Sequence, residues 1–70
     1  MEYIDFSLTK EYIELIKLLK LLNLVESGAE AKIVVEEGLV ECNKEIEYRK
    51  RRKLRVGDVV TFQNNLIKIN

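Results

Sequence analysis

Residues 27–43 read SGAEAKIVVEEGLVECN, and this stretch decides the fold. It opens with Ser27 and, three residues later, Glu30, the spacing of a capping box that satisfies free amides at a helix N-terminus. It then reaches Gly38, and glycine is the residue preferred just beyond a helix C-terminus. After Gly38 apolar and polar residues alternate, which is typical of a strand. The stretch therefore predicts a helix from Gly28 to Glu37, followed by a β-strand.

Upstream of this stretch, apolar residues recur at helical spacing and predict a first helix from Lys10 to Leu22. Thr9 is the expected N-cap, and Asn23 is a suitable stop because asparagine tolerates the left-handed backbone conformation. The short connection to the next helix indicates that the two helices pack directly against each other. Before them, residues 3–6 carry enough apolar side chains for a short leading strand.

Downstream of Gly38 the sequence predicts short strands joined by turns. Residues 39–42 and 45–48 flank Asn43-Lys44 and form an expected β-hairpin, since asparagine favours two-residue hairpin turns. Two further strands are expected at residues 59–62 and 66–69, after turns at 55–58 and 63–65. The predicted fold is α+β, with two packed helices followed by a small antiparallel sheet of about four short strands. At 70 residues, we expect residues 1–70 to form one domain.

Composition excludes several classes of function. The chain has no His and a single cysteine, Cys42, so the commonest general base, a disulfide framework and a Cys-rich zinc site are all missing. We therefore expect no enzymatic activity, no metal site and no cofactor, and we interpret Cys42 as a buried small hydrophobe. No apolar stretch approaches the roughly 20 residues of a membrane span. The acidic N-terminus does not resemble a secretory signal, so we expect a cytoplasmic protein without membrane contact.

Charge is distributed very unevenly along the chain. Twelve basic and twelve acidic residues cancel overall, yet six of the basic residues lie in the seven-residue run RKRRKLR, from Arg49 to Arg55. We call this run the basic segment. Such crowded cations repel one another, whereas a polyanion would neutralise them. Arginines held on a folded surface suit phosphate groups, which the guanidinium binds through two parallel hydrogen bonds. Leu54 and Val56 alternate with the cations, which predicts that part of the segment is strand.

A second candidate for phosphate binding is the N-terminus of the second helix, where amides are free and Gly28 carries no side chain. Lys32, one turn further along, could face the same side as the basic segment. The sequence thus nominates eight candidates for phosphate contacts to a polyanion: Ser27, Lys32, Arg49, Lys50, Arg51, Arg52, Lys53 and Arg55. Plainer interpretations stay open, since the basic segment could be a solvated loop and Ser27 could act only as a cap.

Residues 27–43, together with Val56-Gly57-Asp58-Val59-Val60, resemble the S-four RNA-binding domain, also called the alpha-L RNA-binding motif. That family shows Ser-basic-x-x-Ala-basic-x-apolar-apolar-x-x-Gly-x-Val-x-Val-Asn-Gly, and later Gly-Asp before a strand. The matching positions here are Ser27, Ala31, Lys32, Gly38, Val40, Asn43 and the pair Gly57-Asp58. The chain is most similar to small stand-alone bacterial members. It departs from the family at three positions. Gly28 stands where Arg or Lys is usual, Ile16 replaces the Asp of the family's early Leu-Asp pair, and Lys44 replaces the glycine of the hairpin.

The resemblance implies binding of structured RNA through the face of the second helix and the adjoining sheet edge. We expect the RNA to be ribosomal or transfer RNA, and the protein to be a monomer that associates with the ribosome. The basic segment itself contains no aromatic residue, which favours phosphate and shape recognition over stacking on single strands. The alternative is a protein-interaction module whose basic face docks on an acidic partner, or which dimerises through the Leu-rich first helix. A third hypothesis is an accessory domain that acts in trans with an RNA-modifying enzyme.

Overall fold

The structure is a computed structural model that describes residues 1–70. Two short helices lie between strands at both ends of the chain. In chain order the elements are β1 (Glu2–Phe6), β2 (Ile13–Glu14), α1 (Leu15–Leu21), α2 (Gly28–Glu36), β3 (Val40–Cys42), β4 (Glu45–Ile46), β5 (Lys53–Leu54), β6 (Val59–Phe62) and β7 (Asn65–Ile69). The α+β class and the two packed helices are confirmed.

The sheet differs in detail from the prediction. Five strands form one sheet in the order β1-β7-β6-β3-β4, and β2 and β5 form a separate two-stranded ribbon. The predicted leading strand exists as β1, but it pairs with β7 in parallel, so the sheet is mixed and not purely antiparallel. Parallel pairing requires a long connection between the two strands. Here nearly the whole chain supplies it, which is why local sequence patterns did not reveal the pairing.

The start of the first helix was predicted wrongly. Helix α1 begins at Leu15, not at Lys10, and its N-cap is Glu14, which makes no capping hydrogen bond through its side chain. Residues before it are drawn into tertiary pairing, since Ile13 is paired with Leu54 in the β2–β5 ribbon. Thr9 therefore does not cap the helix. Tertiary contacts have overridden the local helical periodicity.

The second helix follows its prediction closely. Helix α2 begins at Gly28 after Ser27, whose Oγ accepts a hydrogen bond from the Glu30 amide at 3.2 Å. The Glu30 carboxylate returns to the amide of Glu26 at 2.6 Å, one residue earlier than in the usual capping box. Glu37 is the C-cap, and Gly38 adopts the left-handed conformation with φ of 75°. A side chain at Gly38 would meet the ring of Tyr48 at 3.2 Å, which is a second reason for glycine here.

The core lies between the helix pair and the inner face of the sheet. Leu15, Leu18 and Leu19 of α1 are fully buried, so the leucine-rich helix mainly packs the core. Ala31 is also fully buried. Cys42 is buried as predicted, and burial raises the pKa of its thiol to about 11. Neither helix is long enough or apolar enough to cross a membrane.

The hairpin turn and the glycine–aspartate turn are tied together. Asn43 and Lys44 both have positive φ, as a tight two-residue hairpin turn requires. The Asn43 side chain accepts a hydrogen bond from the Val59 amide at 2.9 Å and donates one to Asp58 at 3.1 Å. Asp58 in turn accepts from the Arg55 amide at 2.8 Å. This network fixes where the basic segment ends and β6 begins.

Candidate nucleic-acid interface

The basic segment is folded against helix α1. Residues 49–52 form a turn in which the Arg52 amide donates to the Arg49 carbonyl at 3.2 Å, and Lys53 then enters strand β5. The carbonyls of Arg52 and Lys50 accept hydrogen bonds from the first amides of α1, those of Leu15 at 2.9 Å and Ile16 at 3.2 Å. The segment thereby takes the place of a helix cap. Its cations project from a fixed backbone, and the expectation that part of it is strand is confirmed.

A buried carboxylate lies beneath the basic segment. Glu47 is only 6% exposed, and its amide donates to the carbonyl of the buried Val40 at 2.9 Å. Glu47 Oε2 accepts hydrogen bonds from the Arg49 amide and Nε, both at 2.9 Å. Glu47 Oε1 accepts from Arg49 Nη2 at 3.0 Å and from Arg52 Nη1 at 2.7 Å. Four donors therefore satisfy one carboxylate.

These contacts strongly favour the ionised form of Glu47. Hydrogen bonds from the Arg49 side chain lower the pKa of Glu47 to about 2, although burial opposes the shift and Arg52 adds to it. The same pairing raises the pKa values of both arginines above their ordinary value. The charged network is therefore complete at neutral pH. It holds two of the six cations in place without any ligand.

The remaining surface of the segment is a shallow open depression lined only by cations. Its volume is about 620 Å³, and its lining residues are Arg49, Arg51, Arg52 and Lys53. The Arg49 side chain stays 74% exposed although it pairs with Glu47. Arg51 is exposed and makes no ion pair. A concave surface with four cations and no carboxylate in its lining has the charge and shape to hold phosphate groups.

The two cations of the segment that do not line the depression, Lys50 and Arg55, make weak surface pairs. Lys50 Nζ lies 3.4 Å from Glu36, and Arg55 Nη1 lies 3.3 Å from Glu11. All four side chains are at least 41% exposed, so these pairs are screened by solvent and contribute little to stability. Both cations remain available to an incoming anion.

The structure places Lys32 closer to the basic segment than Ser27. Lys32 lies one turn before Glu36 on the same side of α2, and Glu36 is the residue that reaches Lys50. Ser27 lies at the other end of this helix, roughly 13 Å from Glu36 along the axis at 1.5 Å per residue. Its hydroxyl is occupied as a cap, and the Glu30 carboxylate lies beside the same helix end. Of the two helix candidates, Lys32 is therefore the one nearer to Lys50 of the basic segment.

Sequence reasoning missed two residues of this surface. Glu47 would have been hard to find, because hydrophobicity favours an inward position for Ile46 and Tyr48, which are instead 52% and 61% exposed. Tyr12 was assigned to the first helix, yet its ring lies 4.9 Å from Lys53 Nζ and 5.7 Å from the Arg55 guanidinium carbon. An aromatic residue thus adjoins the basic segment, although it is 41 residues away from Lys53 in sequence.

Comparisons with known proteins agree with this architecture. The putative RNA-binding protein YbcJ of Escherichia coli is 43% identical over 65 residues, which cover 91% of this chain and 93% of YbcJ. The probable ribosome maturation protein RlbA of Bacillus subtilis is 42% identical over 57 residues, covering 81% of this chain and 80% of RlbA.

A solved structure and a family model support the same assignment. The solution structure of YbcJ, described as revealing an alpha-L motif involved in RNA binding, superposes with a TM-score of 0.70 at 42% identity. The superposition covers 93% of this chain and 84% of YbcJ. The family model of the S4 domain matches residues 6–70. The chain therefore belongs to the S4 domain family, the same family that its sequence resembles.

Proposed function

We propose that this protein binds structured RNA and does so without enzymatic activity. The observation that carries the proposal is the depression lined by Arg49, Arg51, Arg52 and Lys53, on a segment that Glu47 and helix α1 hold in place. Its relative YbcJ is named as a putative RNA-binding protein, which supports the same role. The site offers cations and no nucleophile or general base, so the role it supports is binding. We place this activity in the cytoplasm, with the protein as a monomer.

Ribosomal RNA is the target that we favour. The relative RlbA is named as a probable ribosome maturation protein. A fixed array of cations recognises the spacing of phosphates in folded RNA, which is how double-stranded RNA is mostly recognised. We therefore assign Lys32 and the basic segment to backbone contacts, with Ser27 at the edge of the same surface.

The test is the salt dependence of RNA affinity. Four to six cations that displace counterions should give a slope of log affinity against log salt of about −3 to −5. Filter binding or fluorescence anisotropy with ribosomal RNA fragments would measure it. A slope shallower than about −1 would mean that the basic segment is not at the interface.

An acidic polypeptide of equal charge density is the matched control ligand. Retention on RNA but not on this polypeptide would support the RNA proposal. Equal retention on both would instead favour the protein-interaction module, in which the basic face docks on an acidic partner. Sequencing of RNA crosslinked to the protein in cells would then identify the target.

A further inference from the structure

A second depression lies beside the basic segment and has a different character. It has a volume of about 610 Å³, and five of its ten lining residues are hydrophobic. It is formed by the end of β1, the residues that connect it to β2, β2 itself and helix α1, with Leu8, Ile13 and Leu21 among its apolar residues. Two lysines and two glutamates also line it, so its charges balance. A pocket of this size and polarity suits a small, flat, uncharged group better than a phosphate.

Tyr12 lies where this pocket meets the basic segment. It lines the balanced pocket, and its ring also carries Lys53 and Arg55 of the basic segment. The strand register explains this position. Ile13 pairs with the buried Leu54, so one step further along the ribbon Tyr12 comes opposite Arg55, on the face away from the core. Tyr12 is 38% exposed, so part of its side chain faces solvent beside the two cations.

We propose that Tyr12 and the balanced pocket receive an unpaired base of the bound RNA, while Lys53 and Arg55 hold the adjoining phosphate. This inference rests on the proposed function. Within one nucleotide an uncharged aromatic base and an anionic phosphate are separated only by the ribose. The two depressions match these two groups. The balanced pocket is partly apolar and its charges cancel, which suits the base, and the depression of the basic segment is lined only by cations, which suits the phosphate. Unpaired bases in RNA loops and bulges are commonly stacked on aromatic side chains.

The contacts around Tyr12 allow a base to replace the two cations on the ring at little cost in free energy. Lys53 and Arg55 rest on the ring in the free protein, and such contacts are weak at exposed sites. A phosphate would attract both cations and leave the ring to the base. Glu14, another lining residue, offers a carboxylate that can accept a hydrogen bond from an exocyclic amino group.

The experiment compares two RNA duplexes that differ by one nucleotide. One is blunt and fully paired, and the other carries a single bulged 2-aminopurine, whose fluorescence falls when it stacks. The wild-type protein should bind the bulged duplex at least about fivefold more tightly and quench the probe at saturation. Tyr12→Leu should reduce the preference to less than twofold and abolish the quenching. Tyr12→Phe keeps the ring and should preserve both.

Tyr3→Leu is the matched control, because Tyr3 is 76% exposed on strand β1 and lines neither depression. It should behave as wild type. Equal affinity of the wild type for both duplexes, or a preference that survives in Tyr12→Leu, would overturn the inference. If affinity for the blunt duplex still falls steeply with salt in that case, RNA binding stands and only the base pocket fails. A salt slope shallower than about −1 on both duplexes would remove the proposed function and this inference together.

Discussion

Glu47 Oε1 lies 2.7 Å from Nη1 of Arg52, and this ion pair lies at the base of the cationic surface. The Glu47 side chain is 8% exposed and that of Arg52 is 25% exposed. Solvent therefore screens this pair much less than it screens the exposed pairs of Lys50 with Glu36 and Arg55 with Glu11. The carboxylate offsets part of the repulsion among the crowded cations and fixes the turn that carries them. The protein thus presents a cationic surface with a built-in counter-charge beneath it.

Glu47→Gln should destabilise the protein by about 2–4 kcal/mol. The amide keeps the shape of the side chain but removes the charge that four donors share, and it replaces one acceptor oxygen by a nitrogen that can only donate, facing the arginines. Urea denaturation followed by circular dichroism would measure the loss. Glu45→Gln is the control, since Glu45 is exposed on the same hairpin strand and makes no ion pair. Equal effects of the two substitutions would contradict a structural role for Glu47.

Acid should weaken the fold through the same residue. The pKa of Glu47 is about 2 in the folded protein, against 4.5 for an ordinary glutamate, so the unfolded chain takes up this proton first as pH falls. The stabilisation is complete above about pH 5 and is lost progressively toward pH 2. Its full size is on the order of 3 kcal/mol. Unfolding free energies measured across this range should fall more steeply for wild type than for Glu47→Gln; parallel curves would exclude this linkage.

The secondary structure that depends on local signals was predictable from sequence. The capping box at Ser27, the glycine at Gly38 and the turn at Asn43-Lys44 act through hydrogen bonds and backbone conformations of neighbouring residues. Each appears where the sequence predicts it. The resemblance to the S4 domain rests on the same positions, together with Gly57-Asp58, and the family assignment confirmed it.

The features that the sequence did not reveal depend on distant partners. Strand β1 pairs with β7 from the other end of the chain, and Ile13 leaves the expected helix to pair with Leu54. The six cations looked equivalent in sequence. Only the fold shows that Arg49 and Arg52 share a buried carboxylate, because hydrophobicity favours an inward position for Ile46 and Tyr48 over Glu47.

Arg51→Ala and Arg52→Ala should therefore have different effects. Arg51 makes no ion pair, so its loss should leave the melting temperature unchanged, weaken RNA binding by about 1 kcal/mol and reduce the salt slope by about one unit. Arg52→Ala should also lower the melting temperature, by roughly 4–8 °C for each kcal/mol lost in a domain of this size. Thermal melts and anisotropy on the same samples would separate the effects. A lower melting temperature in Arg51→Ala would show that this side chain is structural as well.

Three residues on one side of helix α2 form a line that leads to the basic segment, and we call this line the α2 track. Gly28, Lys32 and Glu36 lie at four-residue intervals on one side of the helix, and Glu36 ends the track beside Lys50. Lys32→Glu should weaken RNA binding by more than the loss of one phosphate contact, which is about 1 kcal/mol, because it places a like charge against the RNA. Gly28→Arg should strengthen binding by adding a cation to the same track.

The fold can accept both substitutions. A Cβ at Gly28 would meet no atom within 4 Å, and Lys32 is exposed, so neither change should disturb the core. Circular dichroism and thermal melts would verify this before RNA affinity is compared at one fixed salt concentration. Lys20→Glu serves as the matched charge control, since Lys20 is exposed on α1 and lines neither depression. If Lys32→Glu weakens binding no more than Lys20→Glu, and Gly28→Arg changes affinity less than twofold, the helix lies outside the interface. RNA binding would then belong to the basic segment alone.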